Sequence, residues 1–427
     1  MAADSRASRM ATKSRRALII GGSMGGLFAA LYLLKRGWRV DVYERIPVPL
    51  SGRGAGITTH DEMMRAITDV AGAVPPDFGV DFEWRETVDA AGRSIGTMHR
   101  SQVATSWTRL WQILRGQLPD AHYHGGKDFV RYTQSTDGVT VAFADGSSET
   151  GDVLIGADGF RSVVRGQLEP AALPVYAGYV AWRGLVEEAA LEPSMREAIF
   201  LKFMFHLPEG EQVIGYPVAG ADNDLRPGHR HWNVLWYRPT DAEELKRLFT
   251  DDTGRYHPLG IPPPLISRKY IDALKADAEQ LPPQFREAYA LVSQPILQPI
   301  YDLEPARMVS GRVALVGDAA FVARPHLGGG VVKAAQDAEA LARRLSGDAA
   351  GSPGHGIAVP DALAAYEAER QPRGRIFVRH AQELGSYIRR GFASEDERAA
   401  AEKFRTPHSL MSETALMDWL RSAGALS

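Results

Sequence analysis

At 427 residues the chain is too long for one ordinary hydrophobic core, so two domains are expected. Apolar residues make up 44% and charged residues 24%, as in a globular protein, and a formal charge of −3 offers no field to attract nucleic acid or an anionic membrane. The absence of cysteine excludes disulfides, thiolate metal sites and a flavin–disulfide relay, and no apolar run approaches the roughly 20 residues of a membrane span.

The opening MAADSRASRMATKSRR is rich in Ser and Arg and poor in acids. It lacks the periodicity of a transit peptide, so residues 1–15 are expected to form a disordered tail, and the protein is placed in the cytoplasm. Leu18 to Glu44 then reads as an apolar strand, a glycine cluster, an amphipathic helix and a second strand ending on an acid. Gly21, Ser23 and Gly26 fill the three places of a G-x-G-x-x-G turn, with Ser23 where glycine is usual. A helix opening at Met24 would aim free N–H groups and the positive end of its dipole at a pyrophosphate. Gly21 permits the tight turn and Gly26 the close approach of helix and strand. Glu44, with Arg45 beside it, lies about 20 residues on, where a carboxylate can hold a ribose hydroxyl. A dinucleotide whose ribose lacks a 2′-phosphate fits, and NAD and FAD both satisfy this stretch.

Gly52, Gly54 and Gly56 mark an extended segment passing close to another element, ahead of a short helix near Glu62–Val70. Residues 81–100 alternate like strands around a turn at Gly92, and Trp107 to Leu118 has helical spacing with Arg109 near its start. Three short strands separated by Asp-Gly turns follow, a meander. From about Val175, aromatic-rich strand patterns predict a largely antiparallel or mixed sheet, with helical pieces around Glu243–Phe249 and Ile271–Ala278. Near Gln298 the chain is expected to return to the first domain, and the remainder is helical, with a Gly/Ser/Pro loop at 347–359.

Two later motifs narrow the reading. Gly156-Ala157-Asp158-Gly159 through Arg165 follows one buried strand, and Gly317-Asp318-Ala319-Ala320 follows another. The second runs through Pro325 and Gly328-Gly329-Gly330 into a helix containing Asp337. A helix starting near Gly330 would present N–H groups to an electron-rich ring edge, and the glycines would keep side chains out of a substrate's way.

Together these motifs resemble the single-component flavoprotein aromatic hydroxylases, the family that includes para-hydroxybenzoate hydroxylase, over about Arg16 to Arg390. The resemblance implies an α/β fold. A discontinuous Rossmann-like FAD-binding domain (16–170 and 299–390) would carry an inserted mixed or antiparallel substrate-binding sheet domain (171–298), with a C-terminal helical tail (391–427). It implies FAD bound through Gly21, Ser23, Met24, Gly26, Glu44, Arg45, Arg109, Asp158, Asp318, Pro325, Gly328, Gly329 and Gly330, with Asp318 on the ribityl chain. NADH or NADPH would bind transiently as reductant, and O2 would be the co-substrate of a flavin C4a-hydroperoxide. Phe321, Gly329 and Val332 stand where His, Gln and Asn are frequent in that family. The stretches GGSMGG, VYERIPVPLSGRGAGI, YAGYVAWRGLV, GYPVAG and GDAAFVARPHLGGGVVKAAQDA are similar to its pyridine-ring branch, the bacterial 2,6-dihydroxypyridine 3-monooxygenases. YAGYVAWRGLV is also similar to bacterial urate hydroxylases.

The implied activity is hydroxylation of a small hydroxylated aromatic or N-heteroaromatic ring. A purine hydroxylase, or a flavin oxidoreductase that inserts no oxygen, is the alternative. Deprotonating a ring hydroxyl or lactam N–H would need a base, for which Tyr216 and His206 are candidates. A packed core tyrosine and a solvent-exposed histidine are their plain structural alternatives. Arg183, in an otherwise apolar strand, would want a carboxylate, substrate oxygen or flavin as partner. His326 lies beside the flavin motif. Neither a metal nor a macromolecular partner is expected beyond an open homodimer.

Overall fold

The computed structural model describes residues 14–50, 56–347 and 357–414. The tail over 1–13, Gly52 and Gly54, most of the 347–359 loop and the end of the helical tail lie outside the described residues.

A six-stranded sheet runs in the order Val309–Ser310, Val313–Leu315, Val153–Gly156, Arg16–Ile20, Arg39–Glu44, Tyr123–Gly125. All neighbours are parallel except the first pair. The central strand is a continuous apolar run because both its faces are covered, with Ala17, Leu18 and Ile19 fully buried. The helices Met24–Lys35, Gly330–Ser346 and Val359–Leu384 share this core, as does the expected meander, Phe129–Gln134, Val139–Phe143 and Ser148–Gly151.

The second sheet has eight strands, ordered Ile296–Asp302, Val175–Glu187, His231–Pro239, Gln212–Val218, Lys202–His206, Val80–Val88, Ser94–Ser106, Gly56–Thr58. It is mixed, because Lys202–His206 runs parallel to Val80–Val88 while the other pairs are antiparallel. Three of its strands come from before residue 107, so the sheet crosses the expected boundary at 171, and the edge strand Ile296–Asp302 crosses that at 298. Unpaired backbone groups at a sheet edge are satisfied by whichever strand arrives, and no local pattern names a partner a hundred residues away.

The two faces of this sheet bury different sets. Trp182, Met204, Val213, Trp232, Val234 and Trp236 point to the rear, against the helices Arg268–Ala278 and Pro283–Leu291. Tyr179, Ala181, Phe203, Phe205, Tyr216, Leu235 and Tyr237 point to the front. Part of the front is covered by Leu410 and Met411 of the helix Pro407–Glu413 in the C-terminal tail. The fully buried Arg85 ties that tail to the sheet through Gln102 Oε1 and Thr414 Oγ1, its guanidinium 4.4 Å from the Phe203 ring centre.

Phe321 takes a histidine's usual place by turning into the core. Its ring lies against Gly374, inside the helix Val359–Leu384, where an added Cβ would strike Phe321. Alanine at an ordinary helix-interior glycine gains about 1 kcal/mol. Gly374→Ala should instead lose about 1–3 kcal/mol to overpacking, and a Phe321→Leu change should recover most of it, as chemical denaturation would measure.

Candidate active site

The turn after Ile20 is shaped by contacts that exclude side chains. Gly21 has φ +108°, and a Cβ there would collide with the Ala157 carbonyl. A Cβ on Gly26 would collide with the Gly21 carbonyl. Ser23 occupies the N-cap of the helix Met24–Lys35 without a side-chain cap, and no acid lies in the first turn, so the first N–H groups face outward uncapped. Glu44 is buried beneath the loop: Oε2 accepts the Gly22 N–H at 2.9 Å and Oε1 the Ile46 N–H at 3.0 Å. Trp111 Nε1 donates to the Gly22 carbonyl at 3.0 Å. Met24 is buried and Arg45 exposed.

A second bare helix start stands beside the first. The helix Gly330–Ser346 has Gly329 at its N-cap, with no side-chain cap and no acid in the first turn, and a Cβ on Gly330 would meet nothing within 4 Å. Gly328 supplies the left-handed turn before it (φ +60°) and packs toward Thr58 and His60, while Pro325 is exposed. The Gly317–Ala319 turn lies between the two helices, within van der Waals reach of both Gly25 and Ala334. Asp318 is exposed there, yet the protein around it pushes its carboxyl pKa above the usual value; Lys333 opposes that shift.

Asp158 is spent locally. Its carboxylate accepts from Ser162 Oγ, Val163 N–H and Val164 N–H, capping the short helix Val163–Leu168. Arg165, the last residue of that motif, is buried and bridges the two turns by donating to the Phe160 and Ala319 carbonyls at 2.7 and 3.0 Å. Its guanidinium was not among the expected site residues, although the motif ends on it. Arg109 pairs with Asp77, and the Ser106 hydroxyl caps its helix.

Strand alternation sorts the proposed catalytic residues. Tyr216 is on the front face, buried, stacked on Phe203 with ring centres 4.9 Å apart, and its hydroxyl donates to the Gly56 carbonyl at 2.9 Å. A Cβ on Gly56 would strike Val218, so the close approach expected of that glycine is real. Burial pushes the Tyr216 pKa up, against the opposing Arg183 charge and the Asn233 amide. Arg183 pairs in register with Leu235, which places it on the same face. It is half-buried, its Nε is enclosed without a hydrogen-bond partner, and its row opens to solvent at Ile296. His326 is buried: its Nε2 lies 2.7 Å from the Tyr179 hydroxyl, and its ring centre is 5.0 Å from that of Tyr237. This hydrogen bond joins the loop before Gly328 to the eight-stranded sheet.

His206 does not belong to this group. It is buried rather than exposed, and its register partner Val213 belongs to the rear core. Its ring faces Phe285 at 6.4 Å between centres, and Nδ1 hydrogen-bonds the Val88 carbonyl at 3.0 Å. A strand reverses face at every residue, so His206 and Phe205 look in opposite directions.

The arrangement is thus two uncapped helix starts with the exposed Asp318 between them, and a largely apolar sheet front that carries Arg183, for which no ion pair is found among the described residues. Residues 176–302 match the FAD binding domain-like family and residues 302–381 the FAD binding domain family. The chain is 31% identical over 390 residues to 2,6-dihydroxypyridine 3-monooxygenase of Paenarthrobacter nicotinovorans, covering 90% of this chain and 94% of that one. The chain belongs to the FAD-dependent aromatic hydroxylases. It is also 30% identical to the FAD-dependent urate hydroxylase of Klebsiella pneumoniae, covering 85% of this chain and 88% of that one. The solved 2,6-dihydroxypyridine-3-hydroxylase of Arthrobacter nicotinovorans superposes with a TM-score of 0.81 at 30% identity, covering 91% of this chain and 96% of that one. This hydroxylase is therefore an FAD-dependent monooxygenase, and among its described residues no helix is long and apolar enough to cross a membrane.

Two consequences can be measured. Glu44→Ala removes the acceptor of two loop N–H groups, so the apoprotein should lose about 1–3 kcal/mol in denaturant titration, and FAD should elute more readily at gel filtration. Burial lowers the His326 pKa to about 3, so between that value and its unfolded value near 6.5 the unfolded chain binds more protons. Its contribution to stability should be complete above about pH 6.5 and decline as pH falls toward 3. His326→Phe should flatten that part of the stability–pH curve.

Proposed function

We propose that this enzyme hydroxylates a small hydroxylated N-heteroaromatic ring of the 2,6-dihydroxypyridine type, with NADH or NADPH as transient reductant. The observation that carries the reading is Arg183, a guanidinium on the front of the sheet for which no carboxylate pair is found among the described residues. FAD supplies the activation of O2; the protein must supply a pocket and an electron-rich ring. An oxyanion next to Arg183 is favoured over its protonated form, so the substrate would bind partly ionised. Burial keeps Tyr216 a phenol, which suits it to donate or relay a proton rather than to act as a free base. His326 and Tyr179 would close the pocket on the cofactor side.

For FAD itself, the Gly21–Gly26 turn and the N–H groups from Ser23 and Met24 onward would take the pyrophosphate, and the remaining lone pairs of Glu44 the adenosine ribose. Asp318 would hold the ribityl chain, and Gly328, Gly329 and Gly330 would present N–H groups to the flavin ring, with Pro325 at the loop's start. Arg109 would reach FAD by exchanging its pair with Asp77, and Arg45 from the surface. Asp158 would act by holding the shape of its turn.

NAD(P)H oxidation and product formation across hydroxypyridines, urates and phenols test the reading, and a clear preference for urates or phenols would overturn the pyridine assignment. Arg183→Gln should raise KM roughly 10–100-fold, the loss of one charge-assisted contact worth about 1.5–3 kcal/mol. Tyr216→Phe should keep FAD but yield less hydroxylated product per NAD(P)H consumed. His206→Asn should leave that ratio unchanged.

A further inference from the structure

Lys333 lies in the first turn of the helix Gly330–Ser346 and is 3% exposed. A buried ammonium group is costly unless it is paired and hydrogen-bonded. Its Nζ donates to the Gly317 carbonyl at 2.7 Å, immediately before Asp318, and stands 3.5 Å from Asp337 Oδ2. Asp337, itself buried, has closer partners: Arg370 Nε at 2.8 Å on one oxygen and the Gly317 N–H at 3.1 Å on the other. Arg370 is as deeply buried and balances Asp337 first. That leaves Lys333 as a second cation under a turn whose other carboxylate is Asp318.

Asp318 occupies an awkward place. It is exposed on the Gly317–Ala319 turn that FAD would cover, and covering it would strip the carboxylate of water. Protonation would then be the cheapest response, and a protonated carboxyl offers a donor where two ribityl hydroxyls need an acceptor.

We propose that Lys333 is the counter-ion that holds Asp318 as a carboxylate when FAD covers it, with Arg370 freeing Lys333 for that task by neutralising Asp337. Lys333 is thus a positioning residue that acts on the cofactor through Asp318. The inference rests on the placement of Asp318 against FAD and is independent of the substrate.

The test is a double-mutant cycle on FAD affinity. Apoprotein of Lys333→Met and of Lys333→Gln, each alone and combined with Asp318→Asn, is titrated with FAD by flavin fluorescence, and the melting temperature of each apoprotein is recorded. The Lys333 changes should weaken FAD binding tenfold or more when Asp318 is present, and less than threefold in the Asp318→Asn background. Equal losses in both backgrounds would mean that Lys333 serves the Gly317 turn alone and would overturn the proposal, as would no loss in either. If neither Lys333 variant folds, Arg370→Gln serves in their place. It should draw Lys333 toward Asp337 and weaken FAD binding with Asp318 present but not in the Asp318→Asn background; an equal loss again overturns the proposal. Asp318→Asn alone leaving affinity unchanged would remove Asp318 from the FAD site, a failure distinct from additivity in the cycle.

Discussion

The close side-by-side packing of two helices with their positive ends together is the constraint on which the rest of this molecule depends. Met24–Lys35 and Gly330–Ser346 meet at their starts through Gly25 and Ala334, and near their ends through Trp38 and the Ser346 hydroxyl, 3.1 Å apart. Like dipole ends brought together are unfavourable by themselves. Small residues at the contact permit the approach, buried Glu44 and the exposed Asp318 partly offset the positive potential, and a bound dinucleotide pyrophosphate would complete the compensation. The uncapped N–H groups, which would be a defect elsewhere, are what the proposed FAD site would use.

This arrangement explains why polar groups behind the site are so fully connected. Asp158, Arg165, Asp337 and Lys333 spend hydrogen bonds on turns rather than on open space, and Arg370 pairs with Asp337. Turns that carry three separate stretches of the site must hold their geometry before the cofactor arrives, and buried charges that are paired in this way are costly to break. The front of the large sheet is organised on the opposite plan. It is aromatic around Tyr179, Tyr216 and Tyr237, and among the described residues Arg183 has no ion-pair partner there.

Polar contacts join the loop before Gly328 to the large sheet. His326 Nε2 lies 2.7 Å from the Tyr179 hydroxyl, and Arg324 of the same loop pairs with Asp302 of the sheet's edge strand at 2.9 Å. Both contacts tie the loop that leads into the helix Gly330–Ser346 to the eight-stranded sheet.

Local chemistry made the cofactor half of the protein legible without coordinates. Left-handed or crowded glycines, uncapped helix starts and a terminal acid are requirements on single residues, and Gly21, Gly26, Glu44 and Gly328 meet them in the fold as they do in the chain. The expected helices and the meander were equally readable, since their periods are written in a dozen residues. What required the tertiary structure was every property that depends on a distant partner. Strands from residues 56–106 joined a sheet expected to begin at 171, because edge pairing is nonlocal. His206 turned to the rear, because its register against the neighbouring strands, rather than its neighbouring turn, sets its face. Asp158 became a cap and Lys333 a buried cation for the same reason: a charge takes its role from what surrounds it in space, and sequence records only what surrounds it along the chain.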